Sequence, residues 1–340
     1  MRDYEAKVAE QIAQYASTAN MHELPESFHF WSHNYIRPGM KDVFGVESVV
    51  DFYLAGFRAA ATRSGGPRKQ ILSLGCGDGW LEIDLAKRLA ADGDLDFRIV
   101  GADISPVLLS RFREKVVEQG LQRWVEPVHM DLNAATLAGP WTTVMANHSL
   151  HHFVELERIF DYCRSTLERS GLFVTNDVIG RNGHMRWPET EIILRSLWPL
   201  LSARQRYHLQ LQRYDETFTD HDCSTEGFEG IRAQDILPLM LERFHPVGFL
   251  GVGGFVDLLT DRGYGHGFDM KDERDTSFIK FAAELNEMLL DAGVVKPTIM
   301  FAQFSLDRRV ERCYHNRSAQ RSVRGVTENW VSKYLAKEMH

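Results

Sequence analysis

Cysteine is scarce in this 340-residue chain: Cys76, Cys163, Cys223 and Cys313 are the only four, and none forms a C-x-x-C pair. That scatter argues against a disulfide framework and a thiolate zinc site, and leads us to expect reduced thiols in a cytoplasmic protein. Long apolar runs are missing too. Nowhere do eighteen apolar residues follow one another, so no membrane-spanning helix is expected. The opening residues, Met1-Arg2-Asp3-Tyr4-Glu5-Ala6-Lys7, read as a polar amphipathic helix, with no apolar signal core in the first thirty. Positive charge is not in excess. Lys and Arg number 39 against 47 Asp and Glu, a formal net charge of −8, which gives no electrostatic case for nucleic acid or an anionic membrane. Repeats and low-complexity linkers are absent as well. What remains is an ordinary globular composition, 44% hydrophobic and 25% charged, long enough for one large α/β domain with elaborations or two modest domains.

Residues 1–62 read as helical, broken near Leu24-Pro25-Glu26 and Arg37-Pro38-Gly39. After the loop signal Ser64-Gly65-Gly66-Pro67 a regular alternation begins. Strands are expected at 71–74, 98–102, 125–130, 142–146 and 171–176. Helices are expected at 81–91, from Pro106 (with Ser105 as N-cap) to about Gly120, and near 155–169. Strand and helix alternating at this pitch mean parallel βαβ units in an open, doubly wound sheet. The rhythm then stops. Helices are expected over 188–214 and 232–244, around the loop 219–230. Strands resume at 247–252 and 298–304, with a helix at about 276–292 between them. The arginine-rich tail (Arg308, Arg309, Arg312, Arg317, Arg321, Arg324) reads as a solvated face or a partner contact.

The stretch ILSLGCGDGW places Gly75, Gly77 and Gly79 at alternate positions where the first strand meets its helix. Glycines there let the backbone approach a ligand that a Cβ would exclude. The spacing is one residue tighter than the dinucleotide fingerprint G-x-G-x-x-G, and no Lys-Ser or Lys-Thr follows, so it is not a P-loop. Asp103 ends the second strand, where a carboxylate can accept both hydroxyls of a ribose. Asp131, followed by Leu132, ends the third, where a carboxylate or backbone amide can meet an adenine edge. Each aspartate alone is more often a turn or cap residue; both in register with the glycine loop point to a nucleoside.

In LSLGCGDGW, VGADIS, HMDLN and MANHSLHHF the chain resembles the class I S-adenosylmethionine-dependent methyltransferases. The resemblance covers roughly residues 68–180 by motif and 245–305 by order of elements. FEGIRAQDILPLMLERF and HFWSHNYIRPGMKDVFG look like a bacterial small-molecule subgroup with an N-terminal helical lid and an inserted cap. The resemblance implies an α/β fold with a doubly wound, mostly parallel, seven-stranded Rossmann-like sheet and a helical cap. It divides the chain into a lid (1–66), a cofactor-binding core (67–183), a cap (184–244), the remaining core (245–306) and a tail (307–340). It also implies S-adenosyl-L-methionine as cofactor, contacted by Ser73, Gly75, Cys76, Gly77, Gly79, Asp103, Ile104, Asp131, Leu132 and Asn147. One departure stands out: the family often carries an acidic residue where this chain has Ser73, so the contact to the methionine amine must come from elsewhere.

Methyl transfer from a sulfonium needs acceptor, methyl carbon and sulfur in line with water excluded, and an oxygen or nitrogen acceptor also needs a base. His151 and His152, in Asn147-His148-Ser149-Leu150-His151-His152, are candidates for that base. Asp177 is the next candidate, although it equally suits a turn before Gly180. H-x-x-H-H has metal-like spacing, but no companion carboxylate cluster is evident and no metal is expected. His29, Phe30, Trp31, His33 and Tyr35 form an aromatic cluster in the lid, from which Tyr35 is singled out as facing the cation. The polar loop from Thr219 to Glu226 is a candidate substrate contact. The expected function is methyl transfer to a small-molecule acceptor in bacterial secondary or glycan metabolism, without nucleic acid or membrane partners. Cyclisation of the cofactor with release of methylthioadenosine, and a non-catalytic cofactor-binding protein, are the alternatives.

Overall fold

The computed structural model describes residues 2–17, 23–93, 95–225 and 227–325. Its centre is a sheet of β1 (Lys69–Leu74), β2 (Phe97–Asp103), β3 (Val125–His129), β4 (Trp141–Asn147), β5 (Leu167–Val178), β8 (His245–Val252), β9 (Ile299–Ser305) and β10 (Arg312–Cys313). The spatial order is β10-β8-β9-β5-β4-β1-β2-β3. The first five strands pair in parallel, while β9 runs antiparallel between β5 and β8. The order reverses at β1 and β4, so a crevice opens beyond their carboxyl ends, where such sheets bind ligands. The seven expected strands are all present; the two-residue β10 adds an eighth at the edge, parallel to β8.

Side-chain alternation along the strands divides the core into two layers. Ile71, Met145 and Val174 face one cluster, packed against α4 (Val49–Ala61), α5 (Trp80–Asp92) and α6 (Pro106–Glu118). Leu72, Leu74, Val144, Ala146 and Phe173 face the other, under α7 (Leu156–Thr166) and α9 (Ala233–Arg243). Ser105 caps α6 as expected, its Oγ accepting from the Leu108 amide at 3.4 Å with Pro106 beginning the helix.

The segments outside this repeat are distributed differently from expectation. α1 (Arg2–Ser17) is followed by α2 (Glu26–Trp31), which continues through a π-turn (Ser32–Ile36) into α3 (Arg37–Phe44). Arg37-Pro38-Gly39 therefore makes no break. Pro38 lies in the first turn of α3, and the chain turns away at Gly45 in the left-handed region, φ 73°. α4 is no lid. Its run VVDFYLAGFRAAA buries Phe52, Tyr53, Phe57 and Ala60 on the sheet, and Gly56 meets Val174 so closely that a Cβ would stand 2.7 Å from it. α9 likewise belongs to a sheet layer, which leaves about 181–231 over the strand ends. In that insertion α8 (Pro188–Leu197) is a helix. Residues 207–214, expected to be helical, instead form a small hairpin of β6 (Tyr207–His208) and β7 (Arg213–Tyr214). Pro199 sits in the short turn that ends the helical run, and the buried Trp198 donates Nε1–H to the Asp215 carbonyl at 2.9 Å. α10 (Val256–Thr260) and α11 (Glu273–Asp291) complete the first layer, and α12 (Ala319–Ser322) closes the described chain.

In the tail, Arg317 pairs with Glu287 and Asp291, and Arg324 with Glu189, so both are tied to acids of the fold instead of forming a solvated face. Residues 326–340 and Glu226 lie outside the described residues. No described helix is long and apolar enough to cross a membrane.

Candidate active site

Beyond β1 the backbone takes left-handed φ values at Gly75 (65°), Gly77 (57°) and Gly79 (73°). The three glycines serve different ends. A Cβ on Gly75 would stand 2.7 Å from that of Ser149, and one on Gly79 about 2.0 Å from the Phe112 ring. Both are therefore required by packing. A Cβ on Gly77 would meet nothing within 4 Å, so the space beside it is open and only its left-handed φ favours glycine there. Asp103 ties the loop down: Oδ2 accepts from the Gly77 amide at 2.8 Å and Oδ1 from Ser105 at 2.7 Å. Burial pushes its carboxyl above the ordinary range. Ile104 follows, its carbonyl 3.1 Å from His129 Nε2. Cys76 is buried, and burial pushes its thiol well up, so it is no thiolate nucleophile.

At the tip of β3 the Asp131 carboxylate is already engaged. Oδ2 accepts from the Tyr4 hydroxyl of α1 at 2.8 Å, and Oδ1 from the Asn133 amide at 2.9 Å. The Tyr4 ring also packs, tilted by 42°, on Phe228 of the insertion, with centroids 5.3 Å apart. α1 thus bridges core and insertion over this end of the crevice, with Leu132 buried beneath.

Ser73 shares the face of Ile71, which turns it toward α5. There its Oγ donates to Glu82 Oε1 at 2.6 Å, and the other carboxylate oxygen of Glu82 is buried without a hydrogen-bond partner. Burial pushes the Glu82 carboxyl up to about 7 despite the Ser73 bond. An acid is therefore present where the serine seemed to leave none. The signal was legible: Glu82 stands at the i, i+4, i+7 spacing with Ala86 and Leu89 on the apolar stripe of α5.

Between β4 and α7 the chain makes a short turn, Leu150–His152, beside the tip of β5. Asp177 accepts from the amides of Ser149 (2.9 Å) and Leu150 (2.7 Å) at Oδ2, and from His151 Nδ1 (2.5 Å) and Val178 N (2.8 Å) at Oδ1. Four bonds occupy the carboxylate, which makes it an orienting group and not the free acid or base expected. Opposite it stands Glu229, with Oε1 3.4 Å from His151 Nε2 and 2.6 Å from His184 Nε2, and Oε2 3.7 Å from His152 Nε2. Burial lowers the His151 imidazole, but Asp177 and Glu229 outweigh it and push it up to about 10. Burial and the His151 charge push His152 down to about 3. Glu229 and His184 were missed in the sequence because they lie 30 or more residues downstream, in loops. They are brought in by a reciprocal amide pair, Asn182 with Gln234 (3.4 and 3.1 Å), and by the Gly183 N–H bond to the Gly230 carbonyl (2.9 Å).

Two expected residues stand elsewhere. Tyr35 is directed at α11, its hydroxyl donating to Glu284 at 3.1 Å on the surface. Trp31 is fully buried, with Phe28 packed edge-on to it, so this part of the aromatic cluster is core. Asn147 ends β4 with its Oδ1 3.4 Å from the hydroxyl of Tyr53, a buried residue that also bonds the Ala146 carbonyl (2.6 Å) and the Asn176 amide (3.0 Å). In the 219–226 loop, Asp220 accepts from the Arg186 amide at 2.9 and 3.1 Å.

A crevice at the strand-order reversal, a glycine loop and an aspartate at the next strand tip are the features at which open α/β sheets bind nucleotides. Residues 71–171 match the family model described as a methyltransferase domain. The residues present suit S-adenosylmethionine: Gly77 has an open side, Asp103 presents a carboxylate at the strand tip, and Glu82 keeps one buried oxygen without a hydrogen-bond partner behind the loop. Among solved structures the chain is similar to a geranyl diphosphate C-methyltransferase from Streptomyces coelicolor A3(2), solved with Mg2+, geranyl diphosphate and S-adenosyl-L-homocysteine. The two are 12% identical, with 88% of this chain and 98% of that one covered and a TM-score of 0.48. It is also similar to the StiE O-MT, at 14% identity, 73% and 72% coverage and a TM-score of 0.41. No curated protein matches the chain.

Proposed function

We propose that the chain methylates a small-molecule acceptor in bacterial secondary or glycan metabolism, in the cytoplasm, where its four free cysteines stay reduced. Bound, the cofactor supplies a methyl group activated on a sulfonium. Gly77 and Asp103 hold its nucleoside, and Glu82, set by Ser73, receives its amine. Tyr4 covers the Asp131 end. The observation that carries the reading is the position of the histidine cluster. Ser149 touches the glycine loop, its Oγ donating to the Leu74 carbonyl at 2.6 Å, and two residues later His151 faces the insertion. An acceptor placed there meets polar groups from three segments and is screened from water by the insertion. The net charge of −8 favours a small acceptor over a nucleic acid.

The test is to incubate the protein with methyl-labelled S-adenosylmethionine and a fractionated small-molecule extract. We expect label in a low-mass product, with S-adenosylhomocysteine formed in equal amount. Label in nucleic acid, or methylthioadenosine released from the cofactor alone, would overturn the reading.

A further inference from the structure

We infer that His151, His152 and Glu229 form a site for a divalent first-row transition-metal ion, with Asp177 and His184 orienting the ligands from behind. The sequence alone led to no metal being expected, because H-x-x-H-H lacked a carboxylate; the fold supplies one from the insertion.

The spacing of the donor atoms suits a shared ion. Glu229 stands 3.4 Å from His151 Nε2 and 3.7 Å from His152 Nε2, both longer than a normal N–H···O hydrogen bond. Metal–nitrogen and metal–oxygen bonds of about 2.0–2.2 Å place neighbouring donor atoms roughly 3.0–3.5 Å apart around a common ion. One ligand atom from each of the three residues lies within 4.8 Å of the others. The two Glu229–imidazole separations lie within a few tenths of an ångström of that spacing.

His151 and Glu229 carry the supporting bonds that metal ligands need. Asp177 accepts from His151 Nδ1 at 2.5 Å, which keeps a proton on that nitrogen and makes Nε2, facing Glu229, the nitrogen that gives up its proton to a metal ion. Asp177 is itself fixed by three backbone amides. His184 holds Glu229 Oε1 at 2.6 Å from the outer side. Arg232 anchors the Glu229 loop to α7 through the Val154 carbonyl and Glu157. Two imidazoles and one carboxylate suit zinc or ferrous ion better than magnesium or calcium, which take oxygen ligands. Three protein ligands leave a position open for an exogenous donor. The side chains of His152 and Glu229 are 14% and 26% exposed, so the position is reachable. On the methyltransferase reading, and resting on it, that position takes an oxygen of the acceptor.

Metal binding and cofactor binding are measured separately on the full chain. Protein stripped with a chelator and dialysed is titrated calorimetrically with Zn2+, anaerobically with Fe2+, and with Mg2+. We expect one Zn2+ or Fe2+ per chain at micromolar affinity or tighter, and no binding of Mg2+ at the same concentrations. Glu229→Gln and His152→Ala should each weaken binding more than 100-fold. Asp177→Asn and His184→Ala should weaken it 10- to 100-fold, and His29→Ala, on the exposed side of α2, should leave it unchanged. X-ray absorption at the zinc edge should show nitrogen and oxygen donors near 2.0–2.1 Å. Retained S-adenosylmethionine affinity shows that each variant is folded; should Glu229→Gln fail that check, His152→Asn replaces it. Zinc and ferrous ion both failing to bind, or binding that survives Glu229→Gln and His152→Ala, overturns the proposal. Absent metal binding with intact cofactor binding removes the ion and leaves the methyltransferase reading; lost cofactor binding with intact metal binding does the reverse.

Discussion

Glu82→Gln probes a buried acid behind the glycine loop that has one carboxylate oxygen without a hydrogen-bond partner. In the folded chain burial holds the Glu82 proton up to about pH 7, against an ordinary 4.5. Between those values the folded state binds a proton that the unfolded state has released. The stabilisation is therefore complete below about pH 4.5 and is lost as pH rises through 7. At about 1.4 kcal/mol for each pH unit, the group's ionisation costs the fold about 3 kcal/mol at pH 8. Glutamine keeps the shape and still accepts from Ser73 but does not titrate. Urea unfolding of both proteins from pH 5 to pH 8 isolates the effect, because the other ionisable groups cancel in the difference. The variant should gain on the wild type with rising pH, by up to about 3 kcal/mol. Its cofactor affinity at pH 8 should nevertheless fall by about 1.5–3 kcal/mol, the scale of a hydrogen bond to a charged group. A flat stability difference across this range, or unchanged cofactor affinity, would refute the placement of this carboxylate.

Asp103→Ala should cost about 2–3 kcal/mol of cofactor affinity by calorimetry, since it removes charge-assisted bonds and frees the Gly77 amide; unchanged binding with an intact fold would place the cofactor elsewhere. Gly77→Val should abolish cofactor binding while the protein remains soluble, because the new side chain enters space that nothing in the fold fills; a variant that binds normally would make the loop a simple turn. Tyr4→Phe, which removes the hydroxyl bonded to Asp131, should weaken cofactor binding several-fold, about 1 kcal/mol, with the melting temperature nearly unchanged. Tyr35→Phe, in contrast, should leave turnover intact, since that hydroxyl meets Glu284 on the surface; a clear loss of turnover would return Tyr35 to the site.

The parts of this molecule that local rules govern were legible in the sequence. The alternation from Ile71 to Asn176 is a matter of apolar period and turn chemistry, and Ser105-Pro106 announces its own helix start. The glycine loop with Asp103 and Asp131 was visible because each residue sits at a strand tip, where chain order and spatial order agree. The rest depends on distant pairings. Glu229 and His184 reach His151 only because two loops are clamped by Asn182, Gln234 and the Gly183–Gly230 contact. Nothing in H-x-x-H-H announces a carboxylate 77 residues downstream. Residues 28–36 misled for a related reason. Their mixture of rings and polar groups suits a lid, yet burial of Trp31 against the core decides their place, and Tyr4 near the start of α1 takes the position over Asp131. Residues 207–214 read as helix from composition, whereas pairing of Tyr207 with Tyr214 makes a hairpin.

The most direct test of the central claim is a crystal structure grown with S-adenosylhomocysteine. Density for the ligand should lie along Gly77, with its ribose hydroxyls on the Asp103 carboxylate, its amine toward Glu82 and its sulfur directed to the side where His151 and Glu229 stand. Ligand density elsewhere in the molecule, or a glycine loop that stays empty at saturating ligand, would contradict the account.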